Sequence, residues 1–185
     1  MGPTIILLFS GKRKSGKDYL TDKLKGLLSD KCQILKISEP IKSHWAKMKN
    51  LNLDDLLSDK EYKEQYRLEM INWSDEMREK DYGCFCRTAC QNAPIKPIWI
   101  VSDIRRKTDI QWFKENYGDR IKAIRIIADD ETRRKRGFEY KEGIDNVTSE
   151  CDLDDYTTWD LVVDNGRNGK PLEEQLNQIL ELIKL

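Results

Sequence analysis

The chain has 185 residues, with 33 Lys and Arg against 33 Asp and Glu for a formal net charge of +0 at pH 7, and five cysteines. That length suits one domain with a sizeable core, and the balanced charge lacks the overall basic field expected of a nucleic-acid binder. No apolar run reaches membrane-spanning length and the N-terminus lacks the regions of a signal peptide, so a cytosolic monomer with free thiols is expected.

Thr4 to Phe9 is β-branched and apolar and predicts a strand buried on both faces. It runs into Gly11-Lys12-Arg13-Lys14-Ser15-Gly16-Lys17-Asp18, a G-x-x-x-x-G-K phosphate loop in the strand-to-helix context such a loop requires. Backbone N–H groups of this turn would face phosphate oxygens, the helix N-terminus would add its field, and Lys17 would reach the β- and γ-phosphates. Asp18 stands where a Ser or Thr hydroxyl normally meets Mg²⁺; a carboxylate there would bind that hard cation directly or through water, the other readings being a loop that binds no metal and an acid that favours the helix dipole. Lys17 to about Leu28 predicts the following helix, with Leu20, Leu24, Leu27 and Leu28 on its apolar face.

Gln33 to Ile37 reads as a second strand closed by Ser38-Glu39-Pro40. From Ile41 to about Asn92 the chain looks wholly helical, with Tyr62, Tyr66, Met70, Trp73 and Met77 as an apolar stripe. Cys84, Cys86 and Cys90 are far from the single His44, so packed thiols are expected there rather than zinc. Pro97 to Val101 is a further buried strand, ending at Ser102-Asp103-Ile104-Arg105-Arg106. Asp103 there would hold Mg²⁺ through water, its other reading being a helix N-cap. A helix from about Thr108 to Tyr117 and a strand from Ile121 to Ala128 follow. Asp129 to about Glu150 is polar and rich in Arg, including Arg133, Arg134 and Arg136, and looks like a mobile lid. Leu161 to Val163 is the last strand, and the chain closes on an amphipathic helix with Leu172, Leu176, Ile179, Leu180 and Ile183.

This alternation predicts a three-layer α/β domain, a parallel sheet with helices on both faces. The core would comprise about 1–40, 95–128 and 158–185, with a helical substrate-binding insert at about 41–94 and the lid at about 129–150. Such sheets bind ligands at the carboxyl ends of their strands, where each basic cluster falls. Phosphoryl transfer needs positioning and neutralised charge more than covalent chemistry. An alcohol acceptor would profit from a base, which this histidine-poor chain does not advertise; a phosphate acceptor is already anionic and needs cations instead. A P-loop kinase with an anionic acceptor is therefore expected. A nucleoside-monophosphate kinase is the alternative, and a nucleotide switch is disfavoured because no guanine-reading N-K-x-D segment is present.

Leu8 to Asp18, Val101 to Arg106 continuing through Asp109-Ile110-Gln111-Trp112-Phe113, Trp73 with Arg78, Phe85-Cys86-Arg87, Ser149 to Asp154 and Leu172 to Leu176 together resemble animal-type phosphomevalonate kinases. The resemblance implies a nucleoside-monophosphate-kinase fold and transfer of the γ-phosphoryl of ATP to (R)-5-phosphomevalonate, giving (R)-5-diphosphomevalonate and ADP in isoprenoid synthesis. It implies that Lys17 and its loop hold ATP, with Asp18 in the Mg²⁺ arrangement. Arg78, Arg87, Arg105 and Arg106 would hold phosphomevalonate. Arg125 and the lid arginines, Arg133 and Arg136 among them, would serve catalysis and ATP, with Asn165 near the adenine. The stretch Arg133 to Gly137 is one residue shorter than in that family, which leaves open whether Arg134 or Arg136 meets the nucleotide. The C-terminal Ile183-Lys184-Leu185 faintly resembles a peroxisomal signal but lacks its small first residue.

Overall fold

The computed structural model describes residues 2–58 and 60–183. Lys184 and Leu185 of the signal-like C-terminus lie outside the described residues. Five parallel strands, β1 (Ile5–Ser10), β2 (Cys32–Leu35), β3 (Ile98–Ile104), β4 (Ile121–Ile127) and β5 (Leu161–Asp164), form one sheet in the order β2-β3-β1-β4-β5. The central strands are buried on both sides, which explains their unbroken apolar sequence. Ile5, Leu7 and Phe9 of β1 pack with Leu20 and Leu24 of α1 (Lys17–Leu28) and with Leu176 and Ile179 of α9 (Leu172–Glu181). The alternate residues Ile6 and Leu8 face Phe85 and Cys86 of α5 (Cys84–Gln91) and Ile110, Trp112 and Phe113 of α6 (Lys107–Tyr117). The period-two alternation of side chains thus splits each strand between two cores.

The insert between β2 and β3 is helical, but as separate pieces: α2 (Ser38–Lys49), α3 (Leu53–Ser58), α4 (Lys60–Lys80) and α5. Asn50, in the left-handed region at φ 53°, ends α2. Here the expectation for Ser38-Glu39-Pro40 is corrected. These residues open α2 instead of closing β2, which ends at Leu35. Proline is tolerated in a first helical turn because its missing N–H has no intrahelical partner there. The tyrosine-rich stripe divides between two cores. Met70, Tyr62, Tyr66 and Trp73 pack with Trp45, Ala46 and Leu56 in a small core of the insert's own, whereas Met77 packs against the sheet core.

Beyond β4, α7 (Asp130–Lys135) and α8 (Thr148–Cys151) bracket residues 136–147, which form neither helix nor strand. All five cysteines are free thiols. Burial pushes the thiol of Cys86 well up and that of Cys90 up to about 11, as expected for packed thiols. No helix of the described residues is long and apolar enough to cross a membrane.

Candidate active site

The phosphate loop turns where its glycines allow it. A side chain at Gly11 would come within 2.7 Å of the Ile126 carbonyl oxygen and of Ser15 Oγ, so only glycine lets the loop pass β4. Gly16, at φ 90°, starts α1 from the left-handed region. The loop is tied from outside as well. Asn165 Nδ2 donates to the Ser15 carbonyl at 2.8 Å, Arg136 Nη1 donates to the same oxygen at 2.9 Å, and Arg136 Nη2 donates to the Asn165 carbonyl at 2.8 Å. Arg133 Nε donates to the Arg13 carbonyl at 2.9 Å, with its guanidinium 3.9 Å from the Phe138 ring centre. Arg134 is exposed. Of the two lid arginines left open by spacing, Arg136 is the one brought to the loop.

Lys17 is buried, donating to the Ser102 carbonyl and, at 3.2 Å, to Asp18 Oδ1. Burial holds its pKa below the usual lysine value, with Asp18 and Asp103 pulling it back up. Burial works against ionisation of Asp18, but neighbouring Lys17, with Lys36 and Arg105, keeps its carboxyl below the usual range. Asp103 has a further duty that its strand-end position conceals. Its carboxylate accepts the backbone N–H groups of Ile37 at 2.7 Å and Ser38 at 3.0 Å, capping the start of α2. The helix that follows β3 has Arg106 as its N-cap residue, so the bonds of Asp103 serve a helix more than sixty residues away in sequence instead.

Lys17, Asp18 and Asp103 line a cavity of about 330 Å³ that also receives Arg105 and Arg106 from the end of β3 and Arg78 from α4. Further cations reach it that motif reading passed over, among them Lys42 on α2 and Lys63 and Arg67 on α4. With Lys36, eight cations face three carboxylates, the third being Glu150 of α8. Burial and the neighbouring Lys63 lower the pKa of Lys42. A helical signal for the α4 set exists, since Lys63, Arg67, Met70, Ser74 and Arg78 recur every three to four residues, one face beside the apolar stripe.

Each arginine is held by a carboxylate. Arg78 Nη1 donates to Asp109 Oδ1 at 2.7 Å, and Asp109 Oδ2 accepts the backbone N–H groups of Arg105 and Arg106 at 3.2 and 3.1 Å. Buried Asp109 therefore sets one arginine of the cavity and the backbone of two more. Arg106 pairs with Asp75, and Arg105 with Glu150. Arg125, on β4, donates to Ser10 Oγ at 2.9 Å and to Asp154 at 3.2 Å, and Asp154 also takes Lys12 at 2.6 Å. Arg13 makes a two-pronged contact to Asp145 at 2.9 and 3.1 Å. Arg87 is not brought to this cavity: it is half-exposed and forks onto Asp81.

The donor set suits a magnesium nucleotide. Ser15 Oγ and Ser102 Oγ are buried without a hydrogen-bond partner among the described residues. Asp18 and Asp103 offer hard oxygens on one cavity wall, and no cluster of three or more His, Cys, Asp or Glu that could hold a metal ion occurs among the described residues. Mg²⁺ needs no such cage, since it is commonly held by one or two carboxylates together with substrate phosphates and water.

A parallel sheet with this loop at the carboxyl end of its central strand and a cation-lined cavity beside it defines a P-loop kinase. In solved structures, the TT1252 protein of Thermus thermophilus shares the fold, with a TM-score of 0.56 at 15% identity over 99% of this chain and 97% of its own. The family model described as phosphomevalonate kinase matches residues 9–119. A Drosophila melanogaster protein named phosphomevalonate kinase is 49% identical over 178 residues, covering 94% of this chain and 90% of that one. The chain belongs to the phosphomevalonate kinase family.

Proposed function

We propose that the protein transfers the γ-phosphoryl group of ATP to 5-phosphomevalonate, forming 5-diphosphomevalonate and ADP. The observation that carries this reading is the single cavity in which the phosphate-loop Lys17 faces Arg105, Arg106, Arg78, Arg67, Lys63 and Lys42. Two anions must approach each other for a phosphate to attack a phosphate, and this excess of cations lowers that electrostatic barrier. The acceptor oxygen carries its charge already, so no side chain need take a proton.

The roles follow from position. The loop from Gly11 to Asp18 cradles the ATP phosphates, with Lys17 bridging the β- and γ-groups. Arg105 and Arg106 offer planar forks to the acceptor phosphate, which suits guanidinium better than ammonium. Arg78, fixed by Asp109, joins them. Lys42, Lys63 and Arg67 line the insert side and suit the acceptor's carboxylate. Arg125, Arg133 and Arg136 approach from the β4 and lid side, Arg136 and Asn165 bracing the loop on which ATP rests. Asp18 and Asp103 would hold Mg²⁺, which when bound neutralises phosphate charge. We assign the protein to the cytosol as a monomer.

A coupled assay of ADP release with phosphomevalonate and separately with AMP, GMP, CMP and UMP tests the reading. Turnover with phosphomevalonate and none with the nucleotides is expected. Turnover of a nucleoside monophosphate in its place would overturn it.

A further inference from the structure

Glu150 is an unusual presence in a cavity built to receive anions. Its side chain is 4% exposed, and its Oε1 faces two guanidiniums, paired with Arg105 and 3.7 Å from Arg67. The three residues come from separately built parts: Glu150 from α8 after the lid, Arg105 from the end of β3, Arg67 from the insert helix α4. A buried carboxylate is costly without a cationic partner, so this group depends on these arginines for its place. The arginines have no matching dependence. Arg67 keeps a second carboxylate, Glu64, at 2.8 Å, and the Arg105 side chain is still 36% exposed, open to the cavity.

A carboxylate against two guanidiniums presents the same ligand chemistry as a phosphate: oxygen acceptors spaced for planar forks. Transfer to a phosphate acceptor assigns no step to a carboxylate at this point, and burial of Glu150 beside the cations lowers the field an incoming anion would meet. Nearby carboxylates on the same stretch behave alike, Asp145 holding Arg13 and Asp154 holding Lys12 and Arg125. Glu150 is the one among them that lines the cavity.

We infer that Glu150 is a positioning residue that stands in for the acceptor's phosphate. It holds Arg105 and Arg67 ready, competes with the acceptor for them, and is displaced when the acceptor binds, so that α8 is released as the cavity fills. The identity of the acceptor rests on the reading above; the competition for the arginines does not.

Titration calorimetry of the full chain with inorganic phosphate, with ADP saturating the phosphate loop, tests this directly. Glu150→Gln should bind phosphate about fivefold more tightly than wild type, the size expected on removing one competing ion pair whose arginine is still open to solvent. Glu150→Asp, which keeps the charge, should stay near wild type. In turnover, Glu150→Gln should lower KM for phosphomevalonate and leave KM for ATP unchanged. Equal or weaker phosphate binding by a folded Glu150→Gln chain would overturn the inference, because a residue that merely orients the arginines weakens anion binding when lost. Wild-type protein supplies a second measure if that variant does not fold: phosphate should speed amide hydrogen exchange across α8, and slowed or unchanged exchange there contradicts displacement. The phosphate results decide the role of Glu150 whichever acceptor is turned over, whereas the turnover assay decides the functional reading.

Discussion

The phosphate loop and the lid stretch tied to it are held by different forces. At the phosphate loop, the strand leading in is buried along its whole length and Leu20 and Leu24 anchor the helix leading out, both 0% exposed. Close packing admits little adjustment, so Lys17 is aimed by the core of the protein. Between 129 and 155, Leu153 is the one buried apolar side chain among the described residues, and the stretch is tied down by Asp145, Glu150 and Asp154 on basic partners. Ion pairs can be exchanged for other anions, whereas packed side chains cannot. A kinase that must admit two phosphorylated substrates and then exclude water gains from that division: a rigid cradle for one phosphate chain and a wall whose contacts phosphates can replace.

The sharpest way to strain this contrast is Lys17→Met. If the cradle is rigid and Lys17 serves the transferring group, kcat should fall by about a hundredfold to a thousandfold. Stability should hold. Burial sets the folded pKa of Lys17 below its unfolded value, so the protonated lysine weighs against the fold at neutral pH, a cost relieved only as pH rises through the folded value. Melting at pH 7 should therefore be unchanged or higher in the methionine variant. An active Lys17→Met enzyme with a lowered melting point would reverse the assignment. The next largest effect tests where packing meets charge. Asp109→Ala leaves Arg78 without its partner in a buried site and uncaps the start of α6, so unfolding in urea should be easier by about 3–5 kcal/mol. A loss below about 1 kcal/mol, the size of an exposed pair, would place Asp109 among the adjustable contacts instead.

What could be read from sequence divides along the same line. Strand β1, the loop and α1 were legible because local signals agree: apolar β-branched run, glycines at fixed offsets, leucines at helical spacing. The contacts that organise the arginines were not, because they join distant segments. Asp103 caps α2 across more than sixty residues, and Asp109 reaches back to Arg78 across thirty-one. Nothing local distinguishes Asp109 from a surface acid, and the strand-end position of Asp103 points to a metal without revealing the helix it caps. Lys63 and Arg67 carried a periodic signal, but they share α4 with a more conspicuous aromatic face. Ser38-Glu39-Pro40 misled because proline marks turns more often than helix starts. Arg87 lies in the segment Phe85-Cys86-Arg87 that carries part of the resemblance, yet its fork lies on Asp81 outside the cavity, and a matching segment alone does not say which way a side chain points.

The central claim is that one end of the cavity holds ATP and the arginines at the other hold the acceptor's phosphate. Steady-state kinetics of Arg105→Ala test it most directly. KM for phosphomevalonate should rise by about ten- to a hundredfold, the loss of one charge-assisted contact, while KM for ATP stays within about a factor of two. An equal rise in both constants, or in ATP alone, would contradict it.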